Sequence, residues 1–214
     1  MKILFILFAF LTLAHVSNAQ YDPKALEVLD EMSEKFAKLG AFKAEFTHAL
    51  ENAAENIKEQ FEGEIVVKGE KFRLKMGGQE IFNNGQTVWT YLPEVNEVNI
   101  DNYFPDEGDM TPSKIYTAYR EGYKYLFVEE NKVDGQTLQV IDLVPENAQQ
   151  NPIYKVRLTI NKESKQLRSW ELFDKSGNHY TYLITHFEPG VQVSDSYFTF
   201  DPSKHKGVEV IDLR

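Results

Sequence analysis

The chain of 214 residues has no cysteine and only five histidines. Without cysteine it has no disulfide framework, so its core must carry the fold alone. With no cysteine after its apolar start, a lipid-anchored N-terminus is also excluded. It has no P-loop, no His-Glu-x-x-His helix, no Gly-x-Ser-x-Gly elbow and no calcium-loop spacing. Past the first residues, no stretch approaches the ~20 uninterrupted apolar residues of a membrane helix. Positive charge is also short. The 23 Lys and Arg against 33 Asp and Glu give a net charge of −10, which argues against nucleic acid or a permanent seat on anionic lipid.

The start of the chain reads as an export signal. Lys2 is followed by the nearly all-apolar Ile3–Leu13 and by the small-x-small site Ser17-Asn18-Ala19. Residues 1–19 are therefore expected to be removed, with cleavage after Ala19, leaving residues 20–214 as one domain. Their length suffices for a single core that buries roughly 70% of its unfolded surface.

What fills that domain is aromatic: 15 Phe, 11 Tyr and 2 Trp, mostly in short alternating segments. Such residues suit a pleated, half-buried surface. Asp22-Pro23 starts a helix whose apolar stripe includes Leu29, Met32 and Phe36, and Gly40 stops it. From Ala41 the period becomes two: Phe42, Ala44, Phe46 and His48 share a face. Phe61, Gly63, Ile65 and Val67 then alternate, as do Phe72, Leu74 and Met76 against Arg73 and Lys75. Gly77-Gly78 and Asn83-Asn84-Gly85 mark turns. A loop over 102–112 leads to a short helix around Thr111–Tyr119. Strands resume at about Tyr125–Asn131 and return through Thr137–Val144, and after a polar loop Ile153–Ile160, Gln166–Phe173 and His179–Phe187 form a second meander.

About ten strands and a few helices predict a mainly β (α+β) fold: an unclosed, strongly curved antiparallel barrel with helices over its concave apolar face. Short strands, charged turns and amphipathic helices argue against an outer-membrane barrel. The pattern describes an apolar container more than a reaction centre. His48 reads as packed on the strand face. His179 and His186, an odd number apart, are expected on opposite faces and so share no metal. Glu129-Glu130 and Asp106-Glu107 read as solvated charge. Neither a catalytic residue nor a cofactor or metal site is expected.

Several segments together resemble the periplasmic outer-membrane lipoprotein carrier family (LolA-like). They are Phe42-Lys43-Ala44-Glu45-Phe46-Thr47, Gly63 to Lys68 with Phe72-Arg73, Asn84-Gly85 through Trp89 and Tyr91 to Pro93, and Phe198 to Pro202 with Gly207 to Ile211. Thr111-Pro112 falls where that family has a short lid helix. The resemblance implies a monomeric periplasmic chaperone without enzymatic activity. It would take the acyl chains of lipoproteins from an inner-membrane ABC transporter and hand them to an outer-membrane receptor. It assigns Phe46, Ile65, Phe72, Leu74, Trp89 and Tyr91 to the cavity wall, and Ile115, Tyr116 and Tyr119 to the lid. The family's usual Gln is His48 here. Its Arg-Pro after Val-Lys is replaced by Gly69-Glu70, so that either the family's lid latch is missing here or Arg73 serves as the lid latch. The same fold also resembles periplasmic regulators of a membrane anti-sigma factor. Those usually carry a second C-terminal domain, whereas this chain stops at Arg214, which favours carriage. A cryptic hydrolase is the third reading, because catalytic residues meet in space rather than in sequence.

Overall fold

The computed structural model describes residues 21–104 and 114–214; the expected export signal and Thr111-Pro112 lie outside them. Asp22 caps α1 (Pro23–Ala37) by accepting the Lys24 amide, and Pro23 opens the first turn. The second Asp22 carboxylate oxygen accepts the Phe127 amide 3.1 Å away, tying the helix start to a distant strand. Gly40, at φ +68°, takes the left-handed turn that leads into the sheet.

Twelve strands form that sheet, rather than about ten. The first meander is β1 (Ala41–Asn52), β2 (Ile57–Lys68), β3 (Lys71–Met76), β4 (Gln79–Asn83), β5 (Thr87–Leu92) and β6 (Glu97–Asn102). The second is β7 (Tyr123–Val133), β8 (Gln136–Pro145), β9 (Ile153–Asn161), β10 (Leu167–Asp174) and β11 (His179–Pro189), with β12 (Glu209–Asp212) closing the chain. The two meanders meet where β1 pairs with β11, giving the order β12-β6-β5-β4-β3-β2-β1-β11-β10-β9-β8-β7. Among the described residues, the strands all pair antiparallel except β12 on β6, and an isolated parallel bridge joins Tyr21 to Tyr125. The ends, β7 and β12, do not pair with each other, so the expected unclosed, curved sheet is the fold. No helix of the described residues is long and apolar enough to cross a membrane.

Cross-strand register assigns the faces. Ala44 lies opposite Ile65, Ile65 opposite Leu74, and Leu74 opposite Ile81. On this concave face α1 buries Ala25, Val28, Leu29 and Met32 in one cluster with Ile141, Leu143, Val156, Leu158 and Ile160. Burying each such side chain contributes about 1.5–3 kcal/mol. A second cluster lies on the convex face. Phe82, one residue past Ile81, points the other way and pairs with Trp89. There Phe82, Val98 and Phe200 are buried, with Trp89, Tyr91 and Val208 packed against them.

Candidate functional site

The concave face is not filled along its whole length. A cavity of about 180 Å³ lies between β1 and the short segment after residue 113. Phe42, Ala44 and Phe46 of β1 form its spine, because alternation puts all three on one face. Ile65, Leu74 and Met76 of β2 and β3 wall one side, and Trp170, Leu172, Tyr182 and Ile184 of β10 and β11 the other. Trp170 and Tyr182 stack at 4.6 Å with planes 5° apart, a rigid aromatic wall. Ile115 and Tyr116 close the top. No charged side chain lines this cavity among the described residues.

The lid is two 3₁₀ turns, Lys114–Tyr116 and Ala118–Arg120, rather than one short helix. Ile115, Tyr116 and Tyr119 are all buried. Tyr116 stacks on Phe36 of α1 at 3.8 Å, and burial pushes its hydroxyl pKa well above the usual tyrosine value. The Tyr119 hydroxyl donates to Asp30 of α1 at 2.5 Å and accepts from the Arg120 guanidinium at 3.1 Å. Burial first, and the Asp30 bond second, raise the pKa of that hydroxyl.

Of the expected wall residues, Phe46, Ile65 and Leu74 converge on the cavity with Ile115 and Tyr116. Phe72 lies on the same face in the main core, beyond the cavity lining. Trp89 and Tyr91 do not join them, since register turns both to the convex face with Phe82. Arg73 is not within reach of the lid either. Strand alternation points it to the convex face, where it bonds Glu80 and lies between the rings of Phe82 and Tyr197. Among the described residues, α1 holds the lid by a polar contact through Asp30.

Met76, Trp170, Leu172, Tyr182 and Ile184 were not among the expected site residues. Met76 was readable, two residues on from Leu74 on one strand face. The others come from β10 and β11 and reach the cavity only through the β1–β11 pairing. That pairing corrects one further expectation. A bulge leaves Thr185 unpaired, so His186 opposes Glu45 on the convex face, the face His179 also occupies. The two histidines oppose Glu51 and Glu45, six strand positions or about 20 Å apart, so they still share no metal.

A larger open groove of about 930 Å³ shares Phe46 and Met76 with the cavity, but Glu45, Glu62, Glu64, Glu80 and Glu94 line it. Carboxylates are unfavourable neighbours for an apolar ligand. The smaller cavity is therefore the candidate site.

An unclosed sheet wrapped around an apolar, lidded cavity defines a half-barrel container. The family is more particular. The sequence model described as outer membrane lipoprotein carrier protein LolA matches residues 37–201, most of the chain, and the chain belongs to that family. A curated outer-membrane lipoprotein carrier protein of Actinobacillus succinogenes is 25% identical over 192 residues, which is 88% of this chain and 87% of that protein. Among solved structures, an uncharacterized conserved protein of Thermus thermophilus shares the fold, with TM-score 0.57 at 14% identity over 88% of this chain and 99% of that one. A LolA superfamily protein of Nitrosomonas europaea aligns with TM-score 0.45 at 14% identity, over 83% and 98% of the two chains.

Proposed function

We propose that this protein carries the acyl chains of lipoproteins through the periplasm in the cavity beneath Ile115 and Tyr116. Residues 1–19 serve as its export signal. An inner-membrane ABC transporter loads it and an outer-membrane receptor unloads it. Binding and release are the whole of its chemistry. The observation that carries this reading is a charge-free aromatic cavity with its own lid in a member of this family.

The energetics suit a carrier. Each buried CH₂ contributes about 0.8 kcal/mol, so an exposed acyl chain is strongly driven into such a site. At about 180 Å³ the closed cavity is little larger than the roughly 150 Å³ that takes a benzene-sized guest. An acyl chain therefore enters only as the lid lifts. Lifting breaks the Tyr116–Phe36 stack, costing about 0.5–1.5 kcal/mol. It also breaks the Tyr119–Asp30 bond. That opening cost offsets part of the burial gain and leaves the cargo releasable.

The test is direct. A fluorescent triacylated lipopeptide is titrated into the folded protein and into Leu74→Glu. Wild type is expected to bind, and the variant to lose at least tenfold in affinity, because a carboxylate would enter the cavity wall. A folded wild type that binds no acylated peptide sinks the reading.

A further inference from the structure

The cavity has an unused polar neighbour. His48 follows Phe46 by two residues on the same face of β1, about 7 Å further along the strand. Its ring is buried, and its Nδ1 atom is buried with no hydrogen-bond partner. The surroundings are aromatic: Tyr182 at 4.6 Å, Tyr180 at 6.2 Å and Phe61 at 6.3 Å between ring centres. Tyr182 also lines the cavity, so His48 stands directly behind its wall. A buried imidazole nitrogen without a partner destabilises the empty protein.

The two ends of β1 are covered unequally. Phe42 lies under α1 and the lid, touching Phe36 and Tyr116. At the other end Phe61 is 40% exposed, and Leu50 and Tyr180 are half-buried. From Phe42 to His48 the strand spans about 20 Å. An acyl chain fills about 15 Å, half the roughly 30 Å hydrocarbon thickness of a bilayer. A chain lying along β1 with its methyl end under the lid therefore ends near His48. That end carries the ester or amide carbonyl joining the chain to its polar head.

We propose that His48 is the specificity residue of this site, its Nδ1–H donating a hydrogen bond to the carbonyl at the head of a bound acyl chain. The cargo thus enters tail first from the Phe61 end, the lid lifting to make room for its methyl end, and His48 marks where hydrocarbon stops and polar head begins. This inference rests on the carrier reading and adds to it a preference for acyl esters and amides over plain hydrocarbon.

The experiment compares two probes, a triacylated lipopeptide and hexadecane, on wild type, His48→Phe and His48→Gln. His48→Phe is expected to lose about three- to tenfold in affinity for the lipopeptide, the scale of one net hydrogen bond, and to keep its affinity for hexadecane. His48→Gln, whose amide can donate from a similar position, should stay within about twofold of wild type for both. In wild type, the ¹⁵N signal of His48 Nδ1 should move toward the protonated tautomer with lipopeptide and not with hexadecane. Equal affinity of wild type and His48→Phe for the lipopeptide overturns the proposal, as does an equal loss for both probes, which is a packing defect. If His48→Phe does not fold, the nitrogen signal decides, and its indifference to lipopeptide overturns the proposal. Wild type that binds neither probe overturns the carrier reading together with this one, whereas the other failures leave carriage intact.

Discussion

The two halves of this sheet use the same alternation and bury opposite faces. From β7 through β11 and on to β3, the apolar side is concave and lies under α1. From β4 to β6, the apolar side is convex and lies under the C-terminal segment that carries Phe200 and Val208. What differs is the cover. A sheet face becomes core only where another element reaches it, and each half has one cover. The cavity lies on the concave face, between β10 and β11 on one side and β2 and β3 on the other, beneath a lid of only two short turns. There Leu74 and Met76 remain half-buried. The container is thus the part of the concave face that α1 does not fill.

The largest expected effect breaks the convex half. Phe200 is buried and meets Phe82 at 5.6 Å and Tyr91 at 5.2 Å. Phe200→Ala should cost about 3–5 kcal/mol of stability in urea unfolding. Amide exchange should rise first in β4 to β6, while β8 and β9 stay protected. A uniform rise would mean that the two clusters unfold as one unit.

Next comes the cavity wall itself. A Cβ on Gly63 would overlap three atoms of the Phe46 ring, which lies flat across β2 at that point. Gly63→Ala should therefore push Phe46 toward the cavity, costing about 1–3 kcal/mol and weakening lipopeptide binding. Unchanged binding together with an unchanged melting temperature would show that the ring yields freely.

These effects also show how much could be read from the chain. Asp22-Pro23 and Gly40 bracket α1 by local chemistry alone, and alternation marks one face of β1, β2 and β3. The placement of Trp89 and Tyr91 needed one further step. Gly77-Gly78 is a two-residue turn, so Met76 pairs with Gln79 and Leu74 with Ile81. Counting on from there puts Phe82, and its partner Trp89, on the face away from Leu74. The alternation of Arg73 with Phe72 and Leu74 was enough to turn it away from the lid, although the resemblance had left it open as a latch. Trp170, Tyr182 and Ile184 were not legible, because nothing local announces that β11 lies beside β1. The bulge at Thr185 is similarly silent in the chain, yet it reverses the face of His186.

A smaller effect separates lid from core. Tyr119→Phe removes the bond to Asp30, whose side chain is half-exposed, so the loss of stability should be about 1 kcal/mol. Binding should nevertheless accelerate, since lifting the lid costs less. Stopped-flow mixing with fluorescent lipopeptide checks this; an unchanged association rate would mean that the lid does not gate entry.

The smallest effect tests whether the two faces answer to different acids. On the concave side, burial pulls the His48 pKa below its ordinary 6.5. The unfolded chain then takes up that proton first, so the proton-linked penalty of His48 is absent above pH 6.5 and grows as pH falls from 6.5 through its folded value. On the convex side, Lys71 and Lys68, at 2.8 and 2.9 Å, hold Asp195 at about 2, below its ordinary 3.8. Its contribution is complete above pH 3.8 and is lost as pH falls from 3.8 toward 2. Urea midpoints measured from pH 7.5 to 3 should therefore show two separate declines. His48→Gln should flatten the first and leave the second. Asp195→Asn should leave the first and reduce the second, to which Asp212, Asp201, Glu130 and Glu163, also held below their ordinary values, contribute. A first decline that survives His48→Gln would assign the sensitivity near neutral pH to some group other than this buried imidazole.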